Sequence, residues 1–145
     1  MDYLLSEADL TLEIFEERGA DKLPGHLGFQ IMHIGRDKVE GRFDVAQHLM
    51  APNGFLHGGT VVAFADTLSG YGTVAHLPAG ATGFTTIELK TNFFSTALSG
   101  GVRGVATPVH VGGATQVWDV EMWSEETDKR MALFRCTNLV LRPKS

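Results

Sequence analysis

The chain has 145 residues, 43% hydrophobic and 20% charged, with a formal net charge of −5. That composition fits one globular domain spanning 1–145 with a sizeable core. Its acidic balance argues against a nucleic-acid partner held by phosphate neutralisation, and its single cysteine, Cys136, excludes an intramolecular disulfide framework or a cysteine-cluster zinc site.

The start of the chain lacks the basic residues and long apolar run of a secretory signal. The charge-free stretch from Thr67 to Ile87 contains Gly70, Gly72, Pro78, Gly80 and Gly83, which a membrane-spanning helix tolerates poorly. A soluble, cytoplasmic protein with no membrane partner is the expectation. Glycine is in excess, at 17 residues, but follows no period and sits among apolar segments, so the chain is neither collagen-like nor low-complexity.

Ser6 to Arg18 reads as a short helix, with Ser6 and Asp9 as a capping box, Leu5 and Leu10 as a hydrophobic staple, and Gly19 as its end. Its acidic residues read as a solvated face. From Gly28 the pattern turns to strand, with Phe29, Ile31 and His33 alternating against Gln30, Met32 and Ile34. Gly35 to Lys38 forms a turn, and Val39, Gly41, Phe43 and Val45 mark the inner face of a second strand. His48 to Leu56, with Pro52 and Asn53-Gly54, reads as a loop.

Gly58 to His76 is the candidate long helix, because Val61, Phe64, Ala65, Leu68, Tyr71 and Ala75 recur at three- and four-residue spacing before Pro78 stops it. Strand patterns follow over Thr85–Phe94, Gly101–Val111, Thr115–Trp123 and Arg130–Leu141. Late strands joined by tight turns imply an antiparallel sheet, and one long helix is enough to cover a face of it, an α+β arrangement.

The strongest functional signal is an absence of charge. From Val45 through Ile87, Asp66 is the only Asp, Glu, Lys or Arg, where the chain's own 20% content calls for about nine. The loop, helix and strand entry therefore read as buried around one carboxylate, and a buried carboxylate needs partners or a purpose. The plain alternative is a solvated helix face, but such a face usually carries several charges.

The second signal is the run Asn53-Gly54-Phe55-Leu56-His57-Gly58-Gly59-Thr60 entering the helix. Glycines at a helix start let a ligand approach free backbone N–H groups, a suitable place for a developing oxyanion. Gly58 and Asp66 lie about 12 Å apart along one helix axis, too far to serve one carbonyl carbon. Two helices packed antiparallel about a two-fold axis remove that difficulty, which makes a dimer part of the chemistry.

His57-Gly58-Gly59 followed by Ala65-Asp66-Thr67, the helix-then-sheet order and the Phe93-Phe94 strand resemble the hotdog-fold acyl-CoA thioesterases, nearest the phenylacetate-pathway (PaaI-type) and 4-hydroxybenzoyl-CoA branch. The resemblance spans Leu27 to Leu141. It implies an antiparallel sheet wrapped around one long central helix, an acyl-CoA substrate, no cofactor, no metal, and a homodimer or dimer-of-dimers tetramer. It further implies that the N–H of Gly58, helped by Gly59, polarises the thioester carbonyl. By the same resemblance, Asp66 of the partner would act as general base or nucleophile, His57 would support the substrate-side loop, and Thr86 would orient water.

Asn53, Thr67, Lys90 and Arg103 are the candidate substrate-binding residues, with Arg142 a further candidate for CoA phosphates. Two departures stand out: relatives often carry Asn or Gln where this chain has Ala51, and a basic residue near the turn that here is Gly112-Gly113-Ala114. A hotdog dehydratase or hydratase, and a non-catalytic acyl-CoA binding module, are the competing readings.

Overall fold

A computed structural model describes residues 2–144. Six strands form one antiparallel sheet: β1 (Gln30–Ile34), β2 (Val39–Asp44), β3 (Gly83–Phe93), β4 (Gly101–Val111), β5 (Thr115–Ser124) and β6 (Arg130–Leu141), in the order β1-β2-β4-β5-β6-β3. The helices are α1 (Leu12–Gly19), α2 (Leu23–His26) and α3 (Gly58–Ala75). Helix α3 lies in the concave face of the sheet and touches every strand.

Helix α3 keeps the expected start and stops one residue short of the expected His76, its C-cap. Val61, Phe64, Ala65, Leu68 and Ala75 are buried as the spacing requires, while Tyr71 is half-buried. Much of the glycine excess serves the close approach of helix to sheet. A Cβ on Gly104 would sit 2.6 Å from the Phe64 ring, and one on Gly41 2.8 Å from Leu68. Gly72 lies against the Trp118 ring, which a Cβ would meet at 2.5 Å. The aromatic rings of Phe29, Phe43 and Phe64 pack mutually with centroids 4.9–5.3 Å apart, a geometry that adds to their burial.

Three expectations are corrected. The helix expected over Ser6–Arg18 is broken: Glu7–Asp9 is one 3-10 turn, and α1 starts afresh at Leu12 with Thr11 capping it. Asp9 accepts both the backbone N–H and the hydroxyl of Ser6 (2.8 and 2.6 Å), so the local side-chain bonds close a turn instead of propagating a helix. In β1 the alternation slips at a bulge between Ile31 and His33, which turns Ile34 inward beside Ile31. Third, the charge-poor stretch is not wholly buried. Pro52–Phe55 is exposed, and so are Thr82, Thr85 and Ile87, the last 56% accessible.

Candidate active site at the open side of the central helix

Helix α3 begins at a cap built from an imidazole. His57 has extended backbone (φ −63°, ψ 131°), and its Nδ1 accepts the N–H of Gly59 at 2.7 Å. With Nδ1 an acceptor, the ring proton sits on Nε2. The N–H groups of Thr60 and Val61 turn back to the His57 carbonyl. Gly58 is left as the helix-start N–H with no partner among the described residues, half-exposed where the helix dipole favours negative charge. Gly59 was expected to help polarise a carbonyl; its N–H is already committed to His57.

A cavity of about 250 Å³ opens beside Gly58, lined by Phe55, Leu56, Val61, Phe93 and Met131. A Cβ on Gly58 would come 3.3 Å from Phe93, so glycine there keeps the phenylalanine ring close to the free N–H.

Asp66 lies two turns further on and is half-buried. Thr86, on β3, donates its hydroxyl to Asp66 Oδ1 at 3.2 Å. Burial pushes the Asp66 carboxyl above the usual carboxylate range, and the Thr86 hydrogen bond opposes part of that shift. A cleft of about 260 Å³ opens beside Asp66, bounded by Thr67, Tyr71 and Phe84. The Thr67 hydroxyl itself donates to Ala63 O at 2.7 Å.

The other expected site residues are not gathered here. Asn53 stands in the exposed loop, where its Oδ1 accepts the Phe55 N–H at 3.2 Å. Lys90 lies on the outer face of β3 beside Asp119 and Arg135. Arg103 projects from the outer face of β4, paired with Asp128 at 2.6 Å and stacked over Trp123. Arg142 donates to Gly113 O at 3.1 Å.

Cys136 is no rival nucleophile: it is buried, its thiol is pushed up to about 11 by burial, and it donates to Ser69 Oγ at 3.4 Å. Buried Ser69 and Thr73 likewise spend their hydroxyl protons on helix carbonyls.

A profile described as the Thioesterase superfamily matches residues 53–130, which contain both Gly58 and Asp66. This chain belongs to the thioesterase superfamily. It is 34% identical over 119 residues to the 1,4-dihydroxy-2-naphthoyl-CoA hydrolase of Escherichia coli K12, covering 81% of this chain and 85% of that protein. It is 30% identical over 119 residues to the proofreading thioesterase EntH of Cronobacter turicensis, covering 81% and 85%.

Among solved structures, a thioesterase from Haemophilus influenzae superposes with a TM-score of 0.85 at 30% identity, covering 98% of this chain and 96% of that one. The Escherichia coli PaaI protein matches in fold, with a TM-score of 0.75 at 21% identity over 90% and 96% of the two chains. The fold is the expected hotdog, and the chain is a thioester hydrolase, which decides against the dehydratase and binding-module readings. No helix of the described residues is long and apolar enough to cross a membrane.

Two groups near the site escaped the sequence reading. Tyr71 reads as part of the apolar stripe and Arg18 only as the last residue of the first helix, yet both border the cleft beside Asp66. The one available signal was Tyr71 itself, a polar-tipped residue five positions after the lone carboxylate.

Proposed function

We propose that the working unit is a pair of these chains that hydrolyses aryl or short- to medium-chain acyl-CoA to the free acid and CoA. The observation that carries the proposal is the unpartnered Gly58 N–H and the half-buried Asp66 on one helix, too far apart to act together within one chain. A second copy with its α3 antiparallel brings Gly58 of one subunit to Asp66 of the other. The open stripe of α3 supports this: Val62, Ala63 and Thr67 are uncharged and half-buried, with Asp66 alone among them charged. Strand β3 adds an edge with exposed Ile87, Leu89 and Phe93, and an apolar edge strand is normally covered.

In this site the thioester carbonyl accepts the Gly58 N–H, so charge developing on oxygen meets the positive end of α3. Thr86 fixes one oxygen of Asp66 and leaves the other for chemistry. That oxygen either takes a proton from the attacking water or attacks the carbonyl carbon, giving an anhydride that water then opens. In both routes the C–S bond breaks and CoA leaves as the thiol. The Nε2–H of His57 is a second donor at the mouth of the site. Lys90 is the candidate for the CoA phosphates, because Arg103 is taken by Asp128.

The test is thiol release from a panel of aryl and aliphatic acyl-CoA esters. Asp66→Ala is expected to lower kcat about 10³-fold while the dimer stays intact by sedimentation. Wild-type turnover by that variant would overturn the proposal.

A further inference from the structure

The cleft beside Asp66 is closed on its far side by the N-terminal helices. Phe15 of α1 packs edge-on against Tyr71 with ring centroids 5.3 Å apart. Gly19 lies so close to the Tyr71 hydroxyl that a Cβ would stand 2.6 Å from it. This docking brings Arg18 to the rim of the same cleft, its guanidinium 5.5 Å from the centre of the Phe15 ring. The floor and opposite wall are apolar, from Gly70, Val74 and Phe84. Gly70 keeps the floor low, since a Cβ there would meet the Phe84 ring at 3.1 Å.

Arg18 has no carboxylate partner among the described residues, although α1 carries Glu13, Glu16 and Glu17. The Tyr71 hydroxyl also has no hydrogen-bond partner among them. Both line the same cleft; burial raises the Tyr71 phenol above its ordinary range, and the Arg18 charge opposes part of that shift. A cation and a phenol with spare donors therefore stand at one end of an apolar cleft, and Asp66 at the other. Five residues of helix separate Asp66 from Tyr71, a rise of about 7.5 Å.

Resting on the thioesterase reading above, we propose that this cleft receives the acyl group, and that Arg18 and Tyr71 select acyl groups bearing a carboxylate at the end remote from the thioester. The guanidinium fork suits a carboxylate in two-point contact. Asp66 repels the same charge when it lies near the thioester, so the pair of ends measures length as well as sign. A rigid aromatic spacer such as 4-carboxybenzoyl meets both demands, and a carboxylate one or two carbons from the carbonyl meets neither.

The experiment compares kcat/KM for 4-carboxybenzoyl-CoA and benzoyl-CoA with the wild-type dimer and with Arg18→Gln and Arg18→Glu. The wild type is expected to prefer the carboxylated ester about tenfold. Arg18→Gln brings the ratio close to one, mainly through KM, and Arg18→Glu inverts it. Tyr71→Phe lowers the ratio by a smaller factor. A ratio near one in the wild type, or one that Arg18→Glu leaves unmoved while benzoyl-CoA is hydrolysed, overturns the selectivity and leaves the hydrolase reading standing. Failure of the wild type to hydrolyse either ester overturns both.

Discussion

Helix α3 has two polar faces that behave in opposite ways. Against the sheet, Ser69, Thr73, Cys136, Asn138, Gln116 and His76 form a buried row in which almost every donor and acceptor is spent. Cys136 donates to Ser69, Asn138 to Thr73, Gln116 to His76 O, and Trp118 to Gln116; Asn138 Oδ1 is the exception, left without a partner. On the open side, the Gly58 N–H is unspent and Asp66 has one protein partner, Thr86. Nucleophile-type residues occupy both faces, so residue type alone does not mark the site. Chemistry belongs where a polar group is held in place but left unsatisfied, while a saturated group fixes the helix against the sheet.

The widest gap between the faces is expected from Gly58→Pro. Proline is accommodated at the first helical position and removes the N–H, and the extended backbone of His57 suits a residue before proline; its ring also adds a Cβ 3.3 Å from Phe93, so Gly58→Ala, which adds the Cβ and keeps the N–H, is the paired control. Turnover is expected to fall about 10²- to 10³-fold with little change in melting temperature. A nearly active Gly58→Pro enzyme would remove the oxyanion role from this N–H.

A smaller effect is expected from Thr86→Val. In the proposed site Asp66 works as the carboxylate, and burial already holds its pKa above the ordinary range, so activity is expected above that raised pKa and is lost as pH falls through it. Removing the Thr86 donor takes away the opposing hydrogen bond. The acid limb of the kcat/KM profile should move to higher pH, with a several-fold loss at neutral pH. An unshifted limb would separate Thr86 from Asp66 function.

The smallest effect on activity is expected on the buried face. Cys136→Ala should leave turnover unchanged and lower stability by about 1–2 kcal/mol, from a lost buried sulfur and the unanswered Ser69 hydroxyl. Denaturant unfolding and a parallel assay check this, and a large kcat loss at constant stability would break the contrast between the faces.

The open face was legible where local chemistry dictated it. A lone carboxylate in a charge-free stretch and glycines at a helix start point to Asp66 and Gly58 without any knowledge of the fold, and the helix between Gly58 and Pro78 follows from its spacing and its stop. The buried face was not legible, because it forms between distant segments: Ser69 meets Cys136 and Thr73 meets Asn138 only after β6 has paired. The same holds for β3, which pairs with β6 rather than with its neighbour in sequence and so becomes an edge. The break before α1 and the bulge in β1 turned on local competition. Asp9 chose Ser6 over helix continuation, and one extra residue in β1 shifted its register. His57 as a helix cap went unread because imidazole is not among the usual capping side chains.

The central claim, that Gly58 of one subunit acts with Asp66 of its partner, is tested most directly by mixing two inactive variants. Asp66→Ala and Gly58→Pro chains, unfolded and refolded together, form mixed dimers in which one site has an intact Gly58 from the first chain and an intact Asp66 from the second. Random pairing predicts recovery of about one quarter of wild-type activity. Mixed dimers verified by mass that remain as inactive as their parents would contradict the shared site.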